Sequence, residues 1–215
     1  MNIINLLKIP GLLMLCAFML LITDLKAQFG YGLTLTNDIY QVYTNPEDDT
    51  DLGRSSGNVL TNLALGPKIW IGNQKIAMSL EAQAGIGFFG YDTKNNKGLG
   101  LANFPMLALF HFNGVSSFNT ELKPGISFGA GMQYNRTELF GVREKFNGIL
   151  PERSFFPTYI VQVGGGYGIS GFALSAYVRY GFHPETKASS LNVGLQIDMN
   201  YFTYRKNFSN PNSAL

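Results

Sequence analysis

The sequence predicts an all-β fold, an eight-stranded antiparallel transmembrane β-barrel of the outer-membrane type, and three observations lead to that prediction. Long stretches alternate apolar with small or polar side chains, and a period of two is the repeat of a β-strand. Charged residues make up only 14% of the 215 residues, whereas soluble domains carry about a quarter. The chain opens with an apolar segment of the secretory kind. Together these features indicate strands that separate lipid from a polar lumen.

The first 27 residues have the parts of a cleavable signal peptide. Lys8 supplies a positive charge, residues 11–22 form an apolar core, and Ala27 is a small residue at the expected cleavage point. A transmembrane helix needs about 20 apolar residues, so this core favours a cleaved signal over a retained anchor helix. Cleavage after Ala27 removes Cys16, the single cysteine, and excludes disulfides and thiol chemistry from the mature chain. No later segment is suited to a membrane-spanning helix.

Three segments therefore follow from the sequence: a signal peptide at 1–27, a barrel domain at 28–205 and a disordered tail at 206–215. The alternation is clearest from Leu63 to Tyr91, where two strands flank a tight turn at Asn73-Gln74. The other six predicted strands follow the same rule and cover 29–43, 99–112, 121–134, 155–168, 172–183 and 191–202.

Four prolines fall in or near these strands, where proline removes a donor from the hydrogen-bond ladder. Pro124 and Pro157 fit strand starts, and Pro67 and Pro105 predict bulges or local bends.

The connections alternate in length and charge. Those after the first, third, fifth and seventh strands are longer and more charged, including loops at 44–58 and 135–154, and the others are short. In outer-membrane barrels the short turns face the periplasm and the long loops face outwards. With an even number of strands, both termini of the mature chain are expected in the periplasm.

A secreted soluble barrel of lipocalin type, with its apolar face inwards, is the structural alternative. The polar faces argue against it, because they carry few charges for a solvated exterior. We predict that these charges form a balanced lumenal network, three of each sign: Lys68, Glu81, Glu121, Lys123, Arg179 and Asp198. Aromatic residues also cluster near strand ends, as in the girdles of membrane barrels. One predicted girdle holds Phe29, Tyr31, Phe112, Tyr167, Phe172, Tyr201 and Tyr204, and the other holds Tyr91, Phe104, Tyr134, Phe155, Tyr159, Tyr180 and Phe182.

Two groups of residues are candidates for chemical sites. His183, Glu185 and Ser189 or Ser190 lie close in sequence near the last strand, and a serine, histidine and acid can form a hydrolase triad. Sequence proximity alone does not place an imidazole on a hydroxyl, and His111 belongs at the opposite end of the barrel. The acidic run Asp48, Asp49 and Asp51 before Gly53 lacks the later Glu of a calcium loop and is better explained as a solvated loop.

Glycines crowd the predicted inner faces of three strands: Gly85, Gly87, Gly125, Gly129, Gly131, Gly164, Gly166 and Gly168. They outline either a small ligand cavity or space for large side chains from other walls, such as Trp70, Tyr177 or Phe202. The second interpretation is favoured, because an eight-stranded interior is normally filled by side chains.

The run from Asn103 to Asn113, a strand of proline, apolar and aromatic residues, is followed by the Gly-rich strand Lys123–Tyr134. With the Ala27-Gln28 junction and the spacing of eight strands, this resembles the PorT-like outer-membrane barrel proteins of the Bacteroidota over the whole mature chain. The resemblance implies an eight-stranded barrel in the outer membrane and leaves the activity open.

The expected function is that of a non-enzymatic outer-membrane barrel with a structural or accessory role, for example in secretion or surface assembly. Outer-membrane lipid surrounds it, and a protein or a surface polysaccharide binds its long loops. Neither a cofactor nor a metal is expected, and the net charge of +2 is too small to suggest nucleic acid. The alternatives are a hydrolase that modifies lipid A and a soluble ligand-binding barrel.

Overall fold

The computed structural model describes residues 28–47, 54–94, 98–118, 121–141 and 154–201, without the side chains of 89–94 and 141. The signal peptide at 1–27, the tail at 206–215, the acidic run at 48–53 and most of the predicted loop at 135–154 lie outside these residues. No helix in the described ranges is long and apolar enough to cross a membrane.

The described strands form a closed antiparallel barrel. They are β1 (Gln28–Thr44), β2 (Ser56–Gly72), β3 (Ile76–Ala82), β4 (Ala84–Lys94), β5 (Gly98–Asn113), β6 (Lys123–Gly141), β7 (Phe156–Ile169), β8 (Phe172–Phe182) and β9 (Ser189–Asn200). Both β3 and β4 pair with β2 on one side and β5 on the other, the remaining neighbours in sequence pair with each other, and β9 pairs with β1 to close the ring. Because β3 and β4 continue each other, the wall has eight strands, which confirms the predicted fold class.

The interruption between β3 and β4 at Gln83 has a cause in the sequence. Pro67 on β2 and Pro105 on β5 flank this point from the two sides, and neither has an N–H to give to the ladder. The pairing register is the same above and below the gap, with Lys68 opposite Glu81 and Leu65 opposite Ala84. The two prolines therefore interrupt the ladder without shifting it. Pro124 and Pro157 each stand at the second residue of a strand.

Apolar side chains cover the outside of the barrel and polar side chains fill the inside. Phe29, Leu122 and Val163 are 51%, 66% and 63% exposed, whereas Thr34, Asn62 and Gln133 are fully buried. A lipocalin-type barrel has the reverse arrangement, so this alternative is wrong. Members of both predicted aromatic girdles, such as Tyr167 and Tyr159, lie on the exposed face. Tyr204 and the side chain of Tyr91 lie outside the described residues.

The two ends of the barrel differ. At the turn end, where β1 begins and β9 ends, the β2–β3 and β7–β8 connections are short, whereas the β5–β6 connection, which was predicted to be short, spans residues 114–122. Asn73 forms the β2–β3 turn there by accepting the N–H groups of Lys75 and Ile76 at 2.8 and 3.0 Å. The β7–β8 turn uses Ser170 and Gly171, both with positive φ. The connections at the opposite, loop end follow β1, β4, β6 and β8.

The β5–β6 connection folds into the turn end. Residues 114–116 form a 3₁₀ turn, and residues 114–118 are all buried. Asn113 and Ser117 flank the turn with φ values of 54° and 69°, which reverse the chain towards the barrel axis. Phe118 packs on Trp70 and Ala77, which are among the buried residues of the lumen. An inserted turn, which we call the inner turn (residues 114–118), therefore occupies the turn end of the barrel.

The predicted loop at 135–154 is wrong in its first part, because β6 continues as a strand to Gly141. Asn135, Thr137 and Glu138 are buried inside the barrel. Their mixed polarity resembled a loop, but they are polar because they face the lumen.

Candidate functional site in the barrel lumen

The lumen contains a buried ion triad of one lysine and two carboxylates. Lys68 Nζ lies 2.7 Å from Glu81 Oε2 and 2.8 Å from Asp198 Oδ2, and the Lys68 and Glu81 side chains are fully buried. Lys68 and Glu81 are direct partners across β2 and β3, and Asp198 comes from β9, on the other side of β1. The lysine also lies over the Trp70 ring, 5.4 Å from its centroid. One cation thus joins strands on both sides of the barrel closure.

Glutamines extend the triad across the barrel. Gln196 donates to Glu81 Oε2 at 3.1 Å and to Asp198 Oδ1 at 2.9 Å. Gln83, in the break between β3 and β4, donates to Glu81 Oε1 at 2.8 Å and accepts a hydrogen bond from Thr36. These bonds occupy the carboxylate oxygens that one lysine leaves available, as buried charges require.

Arg179 reaches this group only through neutral side chains. Its Nε donates to Gln162 at 2.8 Å, and Gln162 in turn donates to Gln196 at 3.2 Å. Its Nη1 donates to Gln133 at 3.3 Å, and its guanidinium lies 5.0 Å from the centroid of the Tyr177 ring. Among the described residues its charge is therefore held by amide oxygens and an aromatic face rather than by a carboxylate.

Asp38 is a further buried carboxylate that sequence reasoning missed. It accepts hydrogen bonds from the Tyr177 hydroxyl and from the amides of Asn62 and Asn192, the last two at 2.8 Å. The signal was available, because Asp38 continues the inward alternation of Thr34 and Thr36 on β1. Tyr177 contacts Arg179 with its ring and Asp38 with its hydroxyl, so one tyrosine lies between a buried cation and a buried anion.

Glu138 is the other buried carboxylate that was missed. It accepts a hydrogen bond from Ser55 at 2.6 Å, and Ser55 accepts one from Asn45 at 2.8 Å. Glu138 was missed because it was assigned to a predicted loop, where the alternation rule was not applied. Its positive φ of 55° marks an irregularity in β6.

The structure places Glu121 and Lys123 outside the lumen, and their assignment to the lumenal network is corrected. They pair with each other at the turn end, where their side chains are 67% and 57% exposed. Lys123 is the first residue of β6, where no wall encloses it, although its alternation matches the inward Gly125. The hydrogen bond from Lys123 holds the pKa of Glu121 below its usual value. Lys68, Glu81, Arg179 and Asp198 are the members of the predicted set that face the lumen.

The candidate hydrolase residues near the last strand do not form a triad among the described residues. The His183 ring stacks on exposed Tyr159, and its Nδ1 accepts the N–H of Thr186 at 3.2 Å. Ser190 points into the barrel, where its hydroxyl has no hydrogen-bond partner. A different serine, Ser79, lies 2.7 Å from His111 Nε2 inside the turn end. Among the described residues the other nitrogen of His111 has no hydrogen-bond partner to orient the ring, so this pair lacks the third member of a triad.

Large side chains and the inner turn occupy space that several glycines leave. A Cβ on Gly194 would lie 2.8 Å from the Tyr177 hydroxyl, and one on Gly168 would meet the carbonyl of Gly114 in the inner turn. Gly125 also approaches the inner turn at the backbone of Val115. The glycine-rich inner face thus serves close packing, which was the favoured interpretation. Phe202, the third side chain considered, lies outside the described residues. Nor do the described residues include a cluster of three or more His, Cys, Asp and Glu side chains suited to a metal ion.

Ion pairs join two loops at the loop end. Glu47 contacts Arg54 at 2.6 Å and Lys187 at 2.8 Å, which links the connection after β1 to the one after β8. The Glu47 N–H also donates to the Thr186 carbonyl at 3.0 Å. The hydrogen bond and charge of Lys187, together with the charge of Arg54, lower the pKa of Glu47 from its ordinary value of 4.5. We call Glu47, Arg54 and Lys187 the rim cluster.

Comparison with known proteins concerns the fold alone. No protein-family profile and no curated protein matches the sequence. The structure is similar to Neisserial surface protein A (NspA), with a TM-score of 0.46, 12% identity, and coverage of 80% of this chain and 97% of that chain. It is also similar to the attachment invasion locus protein Ail of Yersinia pestis, with a TM-score of 0.42, 12% identity and coverage of 80% and 99%. A third similar structure is the outer membrane protein OprG of Pseudomonas aeruginosa, with a TM-score of 0.42, 12% identity, and coverage of 80% of this chain and 95% of that chain.

Proposed function

We propose that this chain is a non-enzymatic outer-membrane β-barrel protein with a structural or accessory role, acting through its loop end. One observation carries the proposal: a continuous apolar exterior surrounds an interior that the protein's own polar side chains fill. Exposed Leu65, Ile86 and Val178 would each be unfavourable in water, and across the whole wall only lipid gives them a suitable solvent. The turn end, which holds both ends of the described barrel wall, would then face the periplasm.

The filled interior supports a structural role over transport. Lys68, Glu81 and Asp198 bind one another across the barrel, and the inner turn closes the turn end with Phe118. Opening a diffusion path would require breaking these buried contacts. We infer that the barrel does not conduct solutes.

The loop end supports the interaction role. The rim cluster holds the loops after β1 and β8 together, so a partner would meet a defined surface rather than two independent loops. A protein or a surface polysaccharide is the expected partner. We also propose that the chain is related to the PorT-like group, and this proposal rests on the resemblance of its strands described above.

Membrane insertion is tested by fractionating cells that express the full-length chain. We expect the protein to stay in the outer membrane after a carbonate wash and to change gel mobility on heating, as a folded barrel does. Reconstitution into a planar bilayer beside a known porin then tests conductance. Release by carbonate would contradict the membrane location, and porin-like steps in wild-type protein would contradict the closed interior.

The interacting end is tested with a photo-crosslinking residue placed at Arg54 at the loop end or, as a matched control, at Asn73 at the turn end. In intact cells we expect adducts to a protein, or a smear of polysaccharide, from position 54 only. Adducts from position 73 alone would place the working surface at the turn end and overturn the proposal.

A further inference from the structure

Among the described residues, the outer wall has a depression in the region spanned by β2, β3, β5 and β6, with a volume of about 530 Å³. Its lining includes the outward side chains of three alanines and three larger apolar residues: Ala82, Ala108, Ala130, Ile69, Leu80 and Met106. Ala108 and Ala130 are direct partners across β5 and β6, and Leu80 is opposite Ala108. Two adjacent short side chains therefore lie among larger outward side chains at this point of the wall. We call this depression the outer groove.

A cation lies above the outer groove on the same strand. Arg136 is six residues beyond Ala130 on β6, on the same outward alternation, and its guanidinium lies 5.9 Å from the centroid of the Phe155 ring. Phe155 is 46% exposed on the barrel exterior. Tyr134 also faces outwards between the groove and Arg136. This is the arrangement of residues at the level of lipid headgroups, where aromatic rings and cations meet.

The separation between groove and cation matches half a bilayer. Six residues of a β-strand span about 20 Å at roughly 3.3 Å each. A strand tilt of about 40° reduces this to about 15 Å along the membrane normal. Half of a hydrocarbon core of about 30 Å is the same length. With Arg136 at the headgroups, the outer groove therefore lies close to the centre of the bilayer.

We propose that the outer groove binds one acyl chain of a membrane lipid whose phosphate group binds Arg136. The groove accepts the end of the chain because alanines replace larger side chains there, and the guanidinium matches the phosphate in charge and geometry. Charge complementarity at headgroup depth favours a lipid over a second protein as the occupant. The proposal rests on the membrane location proposed above.

Native mass spectrometry of the purified full-length protein tests it, with phosphatidylglycerol and phosphatidylcholine added in turn. Wild-type protein is expected to retain one phosphatidylglycerol. Ala130→Phe, which fills the groove, and Arg136→Gln, which removes the charge, should each weaken binding about tenfold or more. Ala176→Phe places the same ring on an outward alanine of β8, on a different part of the wall, and Arg54→Gln removes a loop arginine. Neither control should change binding.

Heat-shifted gel mobility reports whether each variant folds, and Ala108→Leu is a milder groove-filling variant if Ala130→Phe does not. Equal lipid retention by Ala130→Phe and Ala176→Phe would overturn the groove. Equal retention of inorganic phosphate, or of the same headgroup on six-carbon chains, would show an anion site only. If the wild-type protein had the mass of a dimer and Ala130→Phe had the mass of a monomer, the occupant of the groove would be a second copy of the chain. These results test the groove alone, because the protein would still fractionate with the outer membrane in each case. If the proposed membrane location is wrong, carbonate releases the protein in the fractionation experiment.

Discussion

Replacing Lys68 by methionine tests whether the buried ion triad stabilises the barrel. Methionine keeps most of the side-chain volume and removes the charge that contacts Glu81 at 2.7 Å and Asp198 at 2.8 Å. Both carboxylates then stay buried without a cation. Removing one partner of a buried ion pair costs about 3–5 kcal/mol, and we expect a loss of unfolding free energy in this range.

The assay is urea unfolding of the barrel refolded in micelles. Trp70 is the single tryptophan and lies beside Lys68, so its fluorescence reports on the lumen. Because the substitution also alters the surroundings of Trp70, far-ultraviolet circular dichroism and heat-shifted mobility serve as independent measures of unfolding. Lys123→Met is the matched control, since it breaks an exposed ion pair with Glu121, and we expect no change in its midpoint.

A triple variant makes the test sharper. Lys68→Met combined with Glu81→Gln and Asp198→Asn removes all three charges, so it should be more stable than Lys68→Met alone. A triple variant less stable than the single one would refute the reasoning, because the carboxylates would then not be the source of the cost. A loss below about 1 kcal/mol for Lys68→Met would refute it as well.

Three further predictions concern other parts of the barrel. Phe118→Ala should lower the unfolding free energy by about 3–5 kcal/mol and produce brief conductance events in planar bilayers, because it removes the ring that packs on Trp70. Tyr177→Phe should lower the unfolding free energy in urea by about 1–3 kcal/mol, because it removes a hydrogen bond to buried Asp38. Asp38→Asn should lower the unfolding free energy less in the Tyr177→Phe background than in the wild-type protein, because the two residues share this bond. Glu47 has a lowered pKa, so its contact with Lys187 is present at neutral pH and is lost as pH falls through that lowered value. Carboxyl titration by NMR should locate this change below 4.5, and Lys187→Met should raise the measured pKa of Glu47.

The alternation rule predicted the wall because burial on each strand follows the same period as the sequence. The structure has the predicted turn at Asn73 between two long strands. Pro124 and Pro157 lie at the starts of β6 and β7, as predicted. The rule is local, however. It says which side of a strand a residue faces, and not whether another wall lies across from it. Lys123 has inward alternation at the first residue of β6 and is still exposed.

Irregular backbone limited the rest of the prediction. On β1 the register shifts between Asp38 and Tyr40, and Ile39 and Tyr40 are both exposed, so the alternation changes phase in the middle of the strand. Glu138, with positive φ, causes a similar change near the end of β6. The inner turn has no periodicity at all. Its position depends on contacts with Trp70 and with glycines of β6 and β7, which are remote in sequence.

The composition of the lumen determines where binding can occur. The buried ionisable side chains described in the lumen include four carboxylates and only two fixed cations, Lys68 and Arg179. Neutral side chains offset the difference, because Asp38 accepts hydrogen bonds from Tyr177 and two asparagines, and glutamines link Arg179 to the triad. A ligand that displaced these side chains would have to replace their hydrogen bonds, and each buried group left unpaired costs about 1–3 kcal/mol. A partner at the loop end, or a lipid in the proposed outer groove, would instead bind on the exterior and leave the lumenal network intact.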